Sequence, residues 1–256
     1  MNKVPFLSPN QIEGIVEVRL ITAGMAPTSE HRILDLEAFI QGPLNAVFDE
    51  YADLPADIMG EVEFEPGIKD HVKINRDLSE LADSSATETA ATAQARRRST
   101  AAHEIGHIIL HRSILMPVLG QTSLQLFDAE DPAPPRSTVY RCLKADFGNI
   151  KNATAHRPLM RTQGVLVPKE IDYMEIQANI AMAALLLPRS IFCSVAQKPL
   201  RQCVEQRGQT EEREHFDQWR RMIRNFAEQF QVSRQVVDIR LKTLNLMAHS
   251  QNETLF

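Results

Sequence analysis

Arg96-Arg-Arg-Ser-Thr-Ala-Ala-His103-Glu104-Ile-Gly106-His107-Ile-Ile-Leu-His111-Arg112 is the stretch on which the reading of this chain turns. It has no proline, and Ala101, Ala102, Ile105, Ile108, Ile109 and Leu110 surround its polar residues. It therefore reads as a half-buried helix whose ligand edge faces a cleft. Histidines at i and i+4 lie one turn apart and about 40° apart around the axis, so their imidazoles can converge on one metal ion. Glu104, next to the first histidine, can reach a water at that ion rather than the ion itself. A catalytic zinc takes three protein ligands and leaves a position for water. A carboxylate beside it can accept the water's proton and return it to a leaving amine. Gly106 costs roughly 1 kcal/mol against Ala inside a helix. Its lack of a side chain points to close packing or to substrate approach near the metal.

His111 has drifted about 80° from His103 and reads as leaving the metal. The zinc motif whose third histidine follows two turns on wants Gly at position 110 and His at 113. This chain has Leu110 and Ser113. An isolated H-E-x-x-H also arises by chance, as a solvated or core histidine pair, so the motif needs a third ligand elsewhere.

The candidate is Glu175, in Glu175-Ile-Gln-Ala178-Asn179-Ile-Ala181-Met182-Ala-Ala-Leu185-Leu-Leu-Pro188. Residues 169–187 read as a second strong helix stopped by Pro188. Ala178, Ala181, Met182 and Leu185 form a small apolar stripe suited to tight helix packing. Glu175 and Asn179 project from one face, a turn apart. Glu175 can complete a His₂Glu site and Asn179 can hydrogen-bond a ligand imidazole. The bland alternative for Glu175 is a surface carboxylate near a helix start, where the dipole favours it.

These residues resemble the ImmA/IrrE metallopeptidases, whose hallmark is an apolar A-H-E-x-G-H-x-x-x-H helix followed by E-x-x-A-(N/D)-x-x-A-x-x-L-L-x-P. The chain has Ala102-His103-Glu104-Ile105-Gly106-His107 with His111, then Glu175, Ala178-Asn179 and Leu185-Leu186-Leu187-Pro188 in register. The likeness covers most of residues 30–115 and 170–246. It implies one zinc per chain on His103, His107 and Glu175, with Glu104 as general base. It also implies a substrate: a helix-turn-helix transcriptional repressor, cut to switch on a mobile element or a stress response. Two departures stand out. Ala181 and Met182 replace a usual Phe-Ala, and 67 residues separate His107 from Glu175. That separation is longer than the family's, so residues of about 120–169 read as an insertion: a lid, a docking hairpin or a regulatory segment.

The rest of the chain is consistent with a large core. Its 256 residues are 43% hydrophobic and 24% charged, ordinary values for a globular protein. A net charge of -5 gives no general reason to expect nucleic-acid or membrane binding. The N-terminus shows no secretory signal, and the longest apolar run, 180–187, is too short to span a bilayer. Cys142, Cys193 and Cys203 are odd in number and lack C-x-x-C spacing, which argues against a disulfide framework. The expectation is a reduced, cytoplasmic protein with no membrane partner.

Ser8-Pro9 marks a helix start, followed by Ile12, Ile15, Val16 and Leu20 at near-helical spacing, with a strand still possible. Residues 34–51 carry another helical pattern, kinked at Gly42-Pro43. Residues 60–75 alternate, Val62 and Phe64 with glutamates and Val72 and Ile74 with polar residues, as a hairpin or two sheet strands. Residues 79–95 read as a flexible linker or as the lead-in to the motif helix. Asp131-Pro-Ala-Pro-Pro135 is a loop, 139–147 is strand-like and 149–168 is polar. Two further helices are expected at 210–230 and 233–245. The first carries Phe216, Trp219, Ile223, Phe226 and Phe230 as core residues.

The expected fold is α+β: a mostly helical, zincin-like core with a small β-sheet and a C-terminal helical, helix-turn-helix-like segment. The expected domains are 1–195, carrying the insertion, and 196–256. Balanced Glu and Arg in the tail argue against DNA contact, and Arg96-Arg97-Arg98 reads as a solvated helix face. Tyr140 and Tyr173 are candidates to steady an oxyanion. The leading expectation is a zinc endopeptidase acting on a specific protein. The alternatives are a non-enzymatic zinc-containing regulator that binds a repressor or DNA, and a small-molecule zinc hydrolase.

Overall fold

The alternation of Val62 and Phe64 with Glu61 and Glu63 is realised as one strand of a four-stranded sheet. The computed structural model describes residues 4–65, 67–84, 88–116, 138–143, 168–205 and 212–246. Among them the strands are β1 (Val47–Ala52), β2 (Ile58–Phe64), β3 (His71–Asn75) and β4 (Thr138–Leu143), in the order β1-β3-β2-β4. β1 runs parallel to β3, and β2 is antiparallel to both β3 and β4. Val62, Phe64, Val72 and Ile74 face the core and are fully buried. On the opposite face Lys73 donates to Glu61 at 3.1 Å and Glu63 at 3.0 Å, a cross-strand charge cluster.

The helices are α1 (Pro9–Thr22), α2 (Leu36–Gln41), α3 (Arg76–Asp83), α4 (Glu88–Leu115), α5 (Pro168–Leu186), α6 (Arg189–Glu205), α7 (Glu212–Phe230) and α8 (Arg234–Thr243). The fold is thus α+β and mostly helical, with a small sheet. α1 begins as expected: Ser8 caps it, accepting from the Gln11 N–H and completing a capping box, with Pro9 in the first turn.

The helix expected over 34–51 is a correction. Only α2 forms, capped by Asp35, whose carboxylate accepts the Ala38 N–H at 3.0 Å. The chain then turns through Gly42-Pro43 and Asn45 (φ 51°) and becomes β1. Val47, Phe48 and Tyr51 suit a strand. The Val47 N–H finds a partner in the Asp70 carbonyl at 2.8 Å, so pairing with β3 overrides the helical period. Residues 79–95 are largely helical, shared between the end of α3 and the start of α4. Ser79 ties α3 to β1 by donating to the Glu50 carbonyl at 2.5 Å.

α6 was not anticipated. Pro199 lies inside it, yet Ile191, Phe192, Val195, Ala196, Leu200 and Cys203 recur at helical spacing, a signal the proline obscures. The expected domain boundary at 195/196 falls within this helix. Phe192 packs edge-on against Phe226 and Phe230 of α7, with ring centroids 5.6 and 5.9 Å apart. Val236, Val237 and Leu241 of α8 join the same core as Ile12 of α1. Arg240 of α8 is fully buried and makes a two-pronged ion pair with Glu13 of α1, one bond at 2.6 Å. Phe216 is a further correction. It is 52% exposed, with the Arg220 guanidinium 4.2 Å over its ring.

α4 is the axis of the assembly. It packs on β2, β3 and β4 on one side and on α5 on the other. Two glycines set those approaches. A Cβ at Gly60 on β2 would lie 2.4 Å from Thr100 Cγ2 of α4. A Cβ at Gly106 would lie 3.0 Å from the Ala178 carbonyl oxygen and 3.2 Å from both Ala178 Cα and Ala181 Cβ on α5. The basic run before the motif is not a solvated face. Arg97 pairs with Asp83 at 3.1 Å and Arg98 donates to the Leu34 carbonyl at 3.1 Å. Only Arg96 is exposed. Of residues 120–169, β4 and the first residues of α5 are described, and β4 belongs to the main sheet. The loop expected at 131–135 and most of 144–168 lie outside the described residues.

Candidate metal centre

From Ser99 to Ile108 α4 is almost entirely buried, because sheet and α5 cover it from both sides. Helices buried all round are normally apolar all round. Here His103, Glu104, His107 and His111 are all buried, so each needs a partner.

The small stripe Ala178, Ala181, Met182 and Leu185 is buried as expected. With Gly106 opposite it, α5 comes close enough for Glu175 to meet both motif histidines. His103 Nε2 lies 3.0 Å from Glu175 Oε2, His107 Nε2 lies 3.4 Å from Glu175 Oε1, and the two Nε2 atoms are 3.2 Å apart. The three residues can hold a metal ion. Bond lengths near 2.0–2.1 Å in tetrahedral geometry place ligand atoms about 3.3 Å from one another. The Nε2–Nε2 distance and the two contacts to Glu175, which end on different carboxylate oxygens, lie on either side of that value.

The outer ring nitrogens show how the histidines are turned. His103 Nδ1–H donates to Asn179 Oδ1 at 3.1 Å, the role expected of Asn179. His107 is held by a longer chain. Gln177 Nε2 donates to the Pro5 carbonyl at 2.9 Å, so its Oε1 faces His111. His111 Nε2–H donates to that oxygen at 3.0 Å, leaving His111 Nδ1 a bare acceptor. His107 Nδ1–H then donates to His111 Nδ1 at 3.0 Å. Both ligand histidines are thereby fixed as Nδ1–H tautomers with Nε2 lone pairs aimed into the cage. His111 is outside the cage, as its angular drift implied, but it orients His107. Its spacing of four from His107 was the signal for this role. Gln177, two residues after Glu175, carried none.

The electrostatics call for a cation. Burial disfavours a charged His103, but the Glu175 carboxylate outweighs it and raises the imidazole to about 9. Burial dominates at His107 and lowers it. Burial pushes the Glu175 carboxyl up, yet the two imidazoles outweigh it and hold it well below the usual carboxylate range. Without an ion, the Glu175 carboxylate is thus balanced by a protonated His103, and a cation bound in the cage would take over that positive charge. His111 is pushed down to about 3, first by burial and then by His107, consistent with a neutral relay. Glu104 is pushed up to about 8 by burial, only partly opposed by His103. Both of its carboxylate oxygens are buried without a hydrogen-bond partner.

Glu175 is the cage residue that meets solvent, its side chain 19% exposed. Tyr173 stacks on Phe6 with ring centroids 5.7 Å apart; the Tyr140 side chain is outside the described part. No single helix among the described residues is long and apolar enough to cross a membrane. No family model, curated protein or solved structure matches the chain.

Proposed function

We propose that the chain is a zinc-dependent endopeptidase of the ImmA/IrrE type, with a zincin-like core. The observation that carries this reading is the cage of His103, His107 and Glu175, with the Glu104 carboxylate next to it on the same helix turn. Two imidazoles and one carboxylate are the donor set of a catalytic rather than a purely structural zinc. Zinc held there supplies a Lewis acid that lowers the pKa of a water and polarises a carbonyl oxygen. His103 and His107 are kept in register by Asn179 and by the His111–Gln177 chain, so neither ring needs to reorient during turnover. Glu104 accepts the proton of the attacking water and returns it to the amine that leaves.

A polypeptide substrate is favoured by β4. Among the described residues it is one of the two edge strands of the sheet, it packs against α4, and its backbone can pair with an extended chain. The substrate class that the motif resemblance suggests is a helix-turn-helix repressor, and with such a substrate the protein would act in transcriptional control and stress response in the cytoplasm. The non-enzymatic regulator is favoured by one observation, the complete burial of Glu104. Metal analysis of the purified protein and of Glu104→Gln, with incubation against helix-turn-helix repressors from the same genome, separates the two. The peptidase reading expects one zinc in each and fragments only from the wild type. Fragments from Glu104→Gln would remove the general-base role.

A further inference from the structure

The segment before α1 takes no part in the chemistry above, yet it touches the support of the metal centre. Residues 4–7 form neither helix nor strand and lie against the first turns of α5. Val4 and Leu7 are half-buried against the core. Phe6, between them, is 74% exposed and stacks on Tyr173, with ring centroids 5.7 Å apart and planes inclined by 25°. Tyr173 is one helical turn before Gln177, so the stack sets the segment beside that residue. The Pro5 carbonyl there accepts from Gln177 Nε2 at 2.9 Å. The Gln177 amide is buried, with the Pro5 carbonyl at one end and His111 at the other.

A primary amide carries a donor at one end and an acceptor at the other, and a half-turn exchanges them. The Pro5 carbonyl only accepts, so it admits one orientation and turns Oε1 toward His111. In the other orientation Nε2–H would point at His111 Nε2. His111 would then accept there and carry its proton on Nδ1, facing His107 Nδ1. The His107 proton would sit on Nε2, the atom that faces the cage. Each ring keeps one proton, but the His107 lone pair that an ion needs is gone. We infer that Phe6 is a positioning residue of the metal centre: its stack on Tyr173 holds the Pro5 carbonyl on Gln177 and so keeps His107 open to metal. The inference rests on the metal-centre reading above. Whatever lifts Phe6 from Tyr173 weakens the centre without touching a ligand.

Zinc competition against a chelator tests this in the full chain. Phe6→Ala removes an exposed side chain and leaves the core intact. Without the Pro5 carbonyl the two amide orientations become comparable, and apparent affinity falls with the competent fraction. Phe6→Ala should therefore bind zinc about two- to tenfold more weakly, the upper figure being the loss of an outer partner. Phe6→Tyr, which keeps the stack, should match the wild type. Nitrogen-15 shifts of His107 should show mixed tautomers in metal-free Phe6→Ala. In a Gln177→Leu background Phe6→Ala should weaken zinc binding no further. Unchanged affinity in Phe6→Ala overturns the inference and leaves the metal centre standing, as does a loss that persists undiminished beside Gln177→Leu. No zinc binding by the wild type overturns both. Should Gln177→Leu fail to fold, the His107 shifts decide: a single Nδ1–H form in Phe6→Ala overturns the inference.

Discussion

Gly106→Ala separates two effects that the metal centre ties together. On helix propensity alone the substitution should stabilise α4 by about 1 kcal/mol. The added Cβ, however, would meet the Ala178 carbonyl oxygen at 3.0 Å and Ala178 Cα and Ala181 Cβ at 3.2 Å. Carbon contacts are most favourable near 3.5–4.0 Å, so α4 and α5 must separate by a few tenths of an ångström. The obstructing atoms are mostly the backbone of a buried helix and cannot rotate away. Overpacking of this kind costs about 1–3 kcal/mol, so the net change in the metal-free protein is a loss of about 0–2 kcal/mol. At about 2–4 °C per kcal/mol for a chain of this size, the midpoint falls by no more than about 8 °C. The same separation moves Glu175 away from His103 and His107, now at 3.0 and 3.4 Å. Metal sites tolerate only about 0.2 Å in bond length, so affinity should fall about tenfold or more, equivalent to about 1.4 kcal/mol. Thermal melts with and without zinc, together with chelator competition, measure the two terms separately. The expected result is a modest drop without metal and a smaller metal-induced gain than in the wild type. A variant about 1 kcal/mol more stable than wild type with unchanged zinc affinity would refute the claim that Gly106 sets the helix approach.

Other perturbations probe the remaining links. Glu13→Leu leaves Arg240 charged in a fully buried site and should cost about 3–5 kcal/mol in urea unfolding. The double variant Glu13→Leu/Arg240→Met should recover most of that, and no recovery would mean the pair is not the source of the loss. His111→Phe removes the acceptor that orients His107 and should weaken zinc binding about 10–100-fold. Gln177→Leu should act in the same direction, more weakly. Nitrogen-15 shifts of the His107 ring should show Nδ1–H in the wild type and a mixture of tautomers in both variants. Lost stability with unchanged zinc affinity and an unchanged His107 tautomer would reduce His111 to a packing residue.

The chemistry of the centre was legible in one dimension because it is local. His103, Glu104 and His107 are fixed relative to one another by helix geometry, and Glu175 and Asn179 by the same rule on a second helix. The alternating residues of β2 and β3 and the Ser8 cap were equally readable, each a pattern among near neighbours in the chain. Residues 47–52 were not, because a strand partner 24 positions away outweighed a helical pattern. Nor could spacing show that Gly106 faces Ala178, that Arg240 reaches Glu13 across 227 positions, or that Gln177 and Pro5 complete the support of His107. The sequence alone determined which groups can bind a metal. Tertiary packing decided that α5 lies close enough to close the cage, that Glu104 is sealed from water, and that Cys142 stands beside it. Those distances depend on how sheet and helices pack on α4, which no local pattern encodes.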